Sequence, residues 1–279
     1  MDDFAPIARL IEALRPWLGD LVIIGGWAHR LYRFHPQASS PTYQAVQTRD
    51  VDVAFSLDAQ LEGDIADALR KAGFREDFRG EDAPPVIQYR LGDEDQGFYA
   101  EFLTSLRGSG VKRDGTPDAT LAKAGVTAQK LRHLDLLLIH PWTVRLDSAT
   151  GVPLAAPAEV RLANPVCFIA QKLLIRNERR SEKQAQDGLY IHDTLELFGS
   201  ELELLRAEWR DKIRPAISPK IAETVERLYR EQFGVVDDVI RTAARIPQDR
   251  TLTPDRLQAA CLYGLEAIFA NGEAYQASP

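Results

Sequence analysis

Apolar positions in the first half of the chain follow two different periods. Leu21, Val22, Ile23 and Ile24 form a short unbroken run, and Val51, Val53 and Phe55 alternate behind Asp50 and Asp52. Residues 86–91 and 98–103 are apolar-rich runs on either side of the polar turn GDEDQG. Strand side chains alternate between two faces, so these stretches predict strands, the last two joined as a hairpin. Between them, residues 28–34 predict a helix. Residues 60–72 predict another, with Leu61, Ile65, Ala68 and Leu69 at helical spacing and Gly73 at the stop. Residues 134–144 predict a further strand, and the Gly-, Asp- and Thr-rich residues 106–120 a long exposed loop. The start, MDDFAPIARLIEALRPW, is acidic and then amphipathic at helical spacing.

After the segment ATGVPLAAPAEVRLANP the pattern is helical almost to the end. Helices are expected at 166–179, 183–198, 202–212, 219–246 with a break near Gly234, and 254–270. Pro165 stands where helices begin, and Thr253-Pro254 pairs an N-cap residue with a proline in the first turn. The change of period near residue 150 predicts two domains, an α/β (α+β) domain over 1–150 and an all-helical one over 151–279. No internal repeat is visible.

Composition narrows the class. The 279 residues are 45% hydrophobic and 27% charged, an ordinary soluble globular profile. No apolar run approaches the roughly 18–20 residues that a membrane helix needs. The acidic start does not look like a secretory leader, so a cytoplasmic protein without membrane contact is expected. Cys167 and Cys261 lie in apolar helical contexts and predict buried free thiols. A net charge of -7 argues against a dedicated nucleic-acid binder, and no DNA-binding motif is present. Lys172, Arg176, Arg179, Arg180 and Lys183 nevertheless make a local basic cluster.

The candidate chemistry lies in the first half. Asp50 and Asp52 sit two apart on one strand and so share a face, roughly 6.6 Å apart along it. Glu101 occupies a similar place on a later strand, between Ala100 and Phe102. Two such charges brought to ~4 Å repel by about 4 kcal/mol at an effective dielectric of 20. A cation relieves that, and hard oxygen ligands suit Mg²⁺. Asp93 and Asp95 repeat the Asp-x-Asp spacing but fall in a polar turn, where solvated acids are expected. Gly25-Gly26 follows a strand and opens a helix, which lets a phosphate approach the backbone closely, although the P-loop and G-x-G-x-x-G patterns are both absent. The five histidines are scattered and form no Cys/His cluster, so no zinc site is expected. No G-x-S-x-G elbow supports hydrolase chemistry.

Strand, Gly-Gly, helix, then TRDVDV, then a strand with a third acid resembles the nucleotidyltransferases of the DNA polymerase β superfamily. TRDVDV and AEFLTSL are similar to the bacterial minimal branch that includes abortive-infection type IV toxins. The resemblance spans roughly residues 21–198 and implies a mixed nucleotidyltransferase sheet flanked by helices. It implies that Asp50, Asp52 and Glu101 bind Mg²⁺, two ions in all, and act in catalysis. It further implies that Gly25 and Gly26 hold the NTP triphosphate, and that Lys172, Lys183 and Asp187 belong to the nucleotide site. The activity implied is transfer of an NMP to a hydroxyl, with pyrophosphate leaving; the large helical half and its Lys172–Lys183 basic cluster favour an RNA end or a protein over a small molecule as acceptor. Glu101 stands where Asp is commoner, and Gly26 where Ser is frequent. A non-catalytic nucleotide- or partner-binding protein therefore stays open beside the enzyme, as does a toxin of a two-gene system. Arg49 is expected on the opposite face from Asp50. Residues 33–47, with Tyr43, form either a lid or a plain loop.

Overall fold

The computed structural model describes residues 4–79, 86–92 and 97–270. Asp93 and Asp95 lie outside the described residues. Two compact units are present: the chain up to His35 with Gln47–Ala163, and Pro36–Val46 with the chain from Asn164 on.

The first unit is a mixed sheet with flanking helices. Helix α1, Ala5–Ala13, buries Ile7, Leu10 and Ile11 on its apolar stripe. Strand β1, Val22–Ile24, is buried throughout and runs directly into helix α2, Gly25–Leu31. Strand β2 is Asp50–Ala54. Helix α3, Ile65–Lys71, starts later than its apolar spacing suggested, because Asp64 caps it: its carboxylate accepts from the Asp67 N–H at 2.8 Å. Strands β3 (Arg75–Arg79), β4 (Val86–Leu91) and β5 (Phe98–Ser105) follow. Then come β6 (Thr120–Lys123) and β7 (Val126–Leu131), the helical turn α4 (Leu134–Leu137), β8 (Trp142–Leu146) and β9 (Ala158–Leu162).

The sheet order is β3-β4-β5-β2-β1-β9-β8, with the β6–β7 hairpin joined through β7 to the far end of β5. The β4–β5 hairpin expected from the sequence is antiparallel, while β2 and β5 run parallel. Val51, Val53 and Phe55 are fully buried, so the apolar alternation anchors β2 as expected. Residues 134–144 differ from expectation. The run Leu-Asp-Leu-Leu turns into a short helix that buries Leu134, Leu136 and Leu137, and a strand begins only at Trp142. So short an apolar run has no period that separates the two.

The second unit is helical: α5 (Pro165–Ile175), α6 (Ser181–Leu197), α7 (Leu202–Ala207), α8 (Pro219–Phe233), α9 (Asp238–Arg245) and α10 (Pro254–Phe269). A π-helical segment, Glu208–Ile213, extends α7. The break at Gly234 and the Thr253 cap on α10, accepting from the Arg256 N–H at 3.2 Å, both occur where expected. Pro36–Val46 belongs to this unit. The Ser39 N–H donates to the Leu197 carbonyl at 2.7 Å, and the Gln44 N–H to Asp249 at 2.6 Å. Cys167 and Cys261 are both free and buried. Among the described residues no helix is long and apolar enough to cross a membrane.

Candidate active site

The centre of the sheet aligns the acids. In the parallel β2–β5 ladder, Asp52 is in register with Glu101 and Asp50 with Tyr99. Registered residues of neighbouring strands share a face, so Asp50, Asp52, Tyr99 and Glu101 form one polar patch. The residues between them, Val51, Val53, Ala100 and Phe102, are buried on the other face. The patch is thus a product of the period-two alternation itself. Arg49 is exposed at the edge of β2, and its carbonyl accepts from the Tyr99 N–H at 3.1 Å.

Strand β4 adds a layer of support that no sequence pattern announced. Gln88 is in register with Glu101, and Arg90 with Tyr99. The Gln88 amide donates to Glu101 Oε1 at 2.6 Å, and Arg90 Nη2 donates to Gln88 Oε1 at 2.5 Å. Arg90 also pairs with Asp77 on β3 at 2.7 Å, and its guanidinium lies 5.1 Å from the Tyr99 ring centre. Glu101 is therefore held by a chain of charge-assisted bonds crossing three strands. The Tyr99 phenol is pushed up to about 12, chiefly by burial and then by the charges of Asp50, Glu101 and Asp52. The Thr48 hydroxyl donates to Asp50.

The glycines meet this patch from β1. Ile24 is paired with Asp52, and Gly25 follows it at φ +64. A Cβ at Gly25 would collide with Asp52 Oδ2. Gly25 therefore serves twice: it takes a left-handed backbone, and it leaves the space beside the Asp52 carboxylate open. Gly26 lies next to it in α2.

The lysines and Asp187 belong to the helical unit. Lys172 is only 5% exposed and pairs with Asp187, which Arg179 also approaches at 3.5 Å. The Lys172 ammonium lies 4.7 and 4.8 Å from the ring centres of Phe168 and Tyr190. Lys183 is exposed and donates to Gln186 at 3.2 Å. The basic cluster is correspondingly divided: Lys172 turns inward and Arg176 pairs with Asp237, while Arg180 and Lys183 face solvent.

The donor set on the sheet, three carboxylates on one face beside a glycine-kept gap, suits hard divalent cations such as Mg²⁺. Among the described residues, the group of His, Cys, Asp or Glu gathered within 4.8 Å is His192, Asp193 and Glu196 in the helical unit; the sheet carboxylates are more widely spaced.

No curated protein matches the chain. A family model described as nucleotidyltransferase matches residues 3–214, and the chain belongs to that family.

Proposed function

We propose that the protein transfers a nucleoside monophosphate from an NTP to a hydroxyl acceptor, releasing pyrophosphate. The observation that carries this reading is the register of Asp52 with Glu101, with Asp50 on the same face and Gly25 against Asp52. Asp50, Asp52 and Glu101 would hold two Mg²⁺ ions, which when bound offset the negative charge of the triphosphate. Gly25 and Gly26 give the phosphates room beside the backbone. Glu101 accepts the proton of the attacking hydroxyl as its oxygen forms a bond to the α-phosphorus and the bond to the pyrophosphate oxygen breaks. The Gln88–Arg90 chain holds the Glu101 carboxylate in place, so positioning supplies much of the rate. Within the helical unit Lys172 is held by Asp187 as a buried pair, and the same proposal keeps the exposed Lys183 for the nucleotide.

The acceptor proposed is an RNA end or a protein, supported by the exposed Arg180 and Lys183 on a large helical unit. The test is incubation of the full chain with α-labelled NTPs, Mg²⁺ and a cell lysate. Label should appear on an acceptor with the wild type and not with D50A/D52A. Equal labelling by both would overturn the reading. A second reading, nucleotide binding without turnover, is favoured by Glu101 in place of the commoner Asp. It predicts metal-independent NTP binding in calorimetry with no pyrophosphate released.

A further inference from the structure

His192 lies in the middle of α6 and is 1% exposed. Its Nδ1 is 2.9 Å from Asp193 Oδ1, and Asp193 is also bound by Arg250. An ionised carboxylate only accepts, so in the neutral imidazole the proton sits on Nδ1, facing Asp193. Nε2 then carries a lone pair. It is buried and has no hydrogen-bond partner. The Glu196 carboxylate, one helical turn on, has Oε1 3.9 Å away, beyond hydrogen-bond reach. Glu196 has the Tyr43 hydroxyl and Arg256 beside it, while Nε2, which faces that carboxylate, has no donor. Buried polar atoms are rarely left so, and an ion or ordered water is the usual remedy.

The gap has the dimensions of a metal bridge. Zinc lies about 2.0–2.1 Å from imidazole nitrogen and about 2.0–2.2 Å from carboxylate oxygen, so the two bonds together span about 4.1 Å. Closing the 3.9 Å separation by roughly half an ångström bends them toward the tetrahedral angle. The carboxylate behind Nδ1 is the outer partner that metal-bound histidines ordinarily have. Beside the pair opens a cavity of about 480 Å³, lined also by Ser39, Tyr43, Arg250 and Arg256, with room for water to complete the coordination. Two guanidiniums stand nearby. Arg250 pairs with Asp193 and also lies near Glu196, and Arg256, 3.5 Å from Glu196, is 68% exposed.

We propose that His192 Nε2 and the Glu196 carboxylate bind one divalent transition-metal ion, Zn²⁺ or Co²⁺ in preference to Mg²⁺, with Asp193 orienting the imidazole. The nitrogen ligand sets the preference. The site has one histidine and no cysteine, so no zinc motif marks it in the sequence. It is independent of the nucleotidyl-transfer reading.

Titration of Zn²⁺ and of Co²⁺ into the full-length D50A/D52A protein tests it, since two of the three sheet carboxylates are then removed. One ion per chain is expected, with a Co²⁺ visible spectrum showing nitrogen–oxygen coordination. Glu196→Gln keeps shape at a partly exposed position and should weaken binding at least tenfold, and His192→Asn should abolish it. Asp193→Asn should weaken binding by about 10–100-fold. Absence of saturable binding, or Zn²⁺ affinity unchanged in a Glu196→Gln protein with wild-type circular dichroism, overturns the proposal. A Mg²⁺ affinity equal to that for Zn²⁺ also overturns it.

Discussion

Replacing Gly25 with alanine separates backbone strain from damage to the acidic patch. Gly25 sits at φ +64, and an L-residue held in the left-handed region costs roughly 1–2 kcal/mol. For a chain of this size that corresponds to a fall in melting temperature of about 2–8 °C. The added Cβ also overlaps Asp52 Oδ2, so the carboxylate must rotate or the strand must shift. Displacing a reacting group by about 1 Å can cost on the order of 100-fold in rate. Gly73 supplies the control. It too is left-handed, at φ +89, but a Cβ there comes no nearer than 3.8 Å to another atom, the guanidinium of Arg9. Thermal melts and labelled-NTP turnover on G25A and G73A should therefore diverge. Both should lose similar stability, while only G25A loses about two orders of magnitude in turnover. If G25A keeps full turnover, or if G73A loses as much, the link from Gly25 to Asp52 is wrong.

Three further outcomes follow from the same structure. Gln88→Ala removes the donor to Glu101; hydrogen bonds to charged groups are worth about 1.5–3 kcal/mol, so kcat should fall roughly 10–100-fold with KM for the NTP little changed, and unchanged kcat would dismiss the positioning role. Tyr99 ionises at about 12 in the folded chain against about 10 when unfolded, so its neutral form favours folding below pH 10 and that contribution disappears as pH rises toward 12. Urea midpoints measured from pH 9 to 12 should therefore decline less steeply for Tyr99→Phe than for the wild type, and parallel declines would remove Tyr99 from the account. Lys172→Ala leaves Asp187 buried without its ammonium and should cost about 3–5 kcal/mol in urea unfolding, while K172M/D187L should recover most of it.

The legible parts of the sequence were those with a strong local period. Val51, Val53 and Phe55 alternate cleanly because one face of β2 is fully buried, and that alternation also exposed Asp50 and Asp52 as a shared edge. Caps and breakers were equally plain, as at Gly73, Gly234 and Thr253. Strand β3 was not, because Arg75–Arg79 is almost wholly charged and its one large apolar residue, Phe78, is 67% exposed. The β6–β7 hairpin hid behind the left-handed Ala124-Gly125 turn, in which only the glycine is a typical signal. Strand β9 lies in the proline-bearing stretch between the two patterns, although Ala158, Val160 and Leu162 alternate inward. In the site, Gln88 and Arg90 were invisible because their role depends on the β4–β5 register, which side-chain identity does not encode. Lys172 falls among the residues that the resemblance assigns to the nucleotide; its burial against Asp187, Phe168 and Tyr190 depends on helix packing that local spacing cannot express.

The most direct test is a crystal structure of the full chain grown with Mg²⁺ and an NTP analogue whose α–β bridge cannot be cleaved. The expected result is metal density between Asp50, Asp52 and Glu101, with the triphosphate against Gly25 and Gly26, and loss of both in D50N/D52N. Nucleotide bound without metal, or metal and triphosphate seated away from these carboxylates, would contradict the assignment.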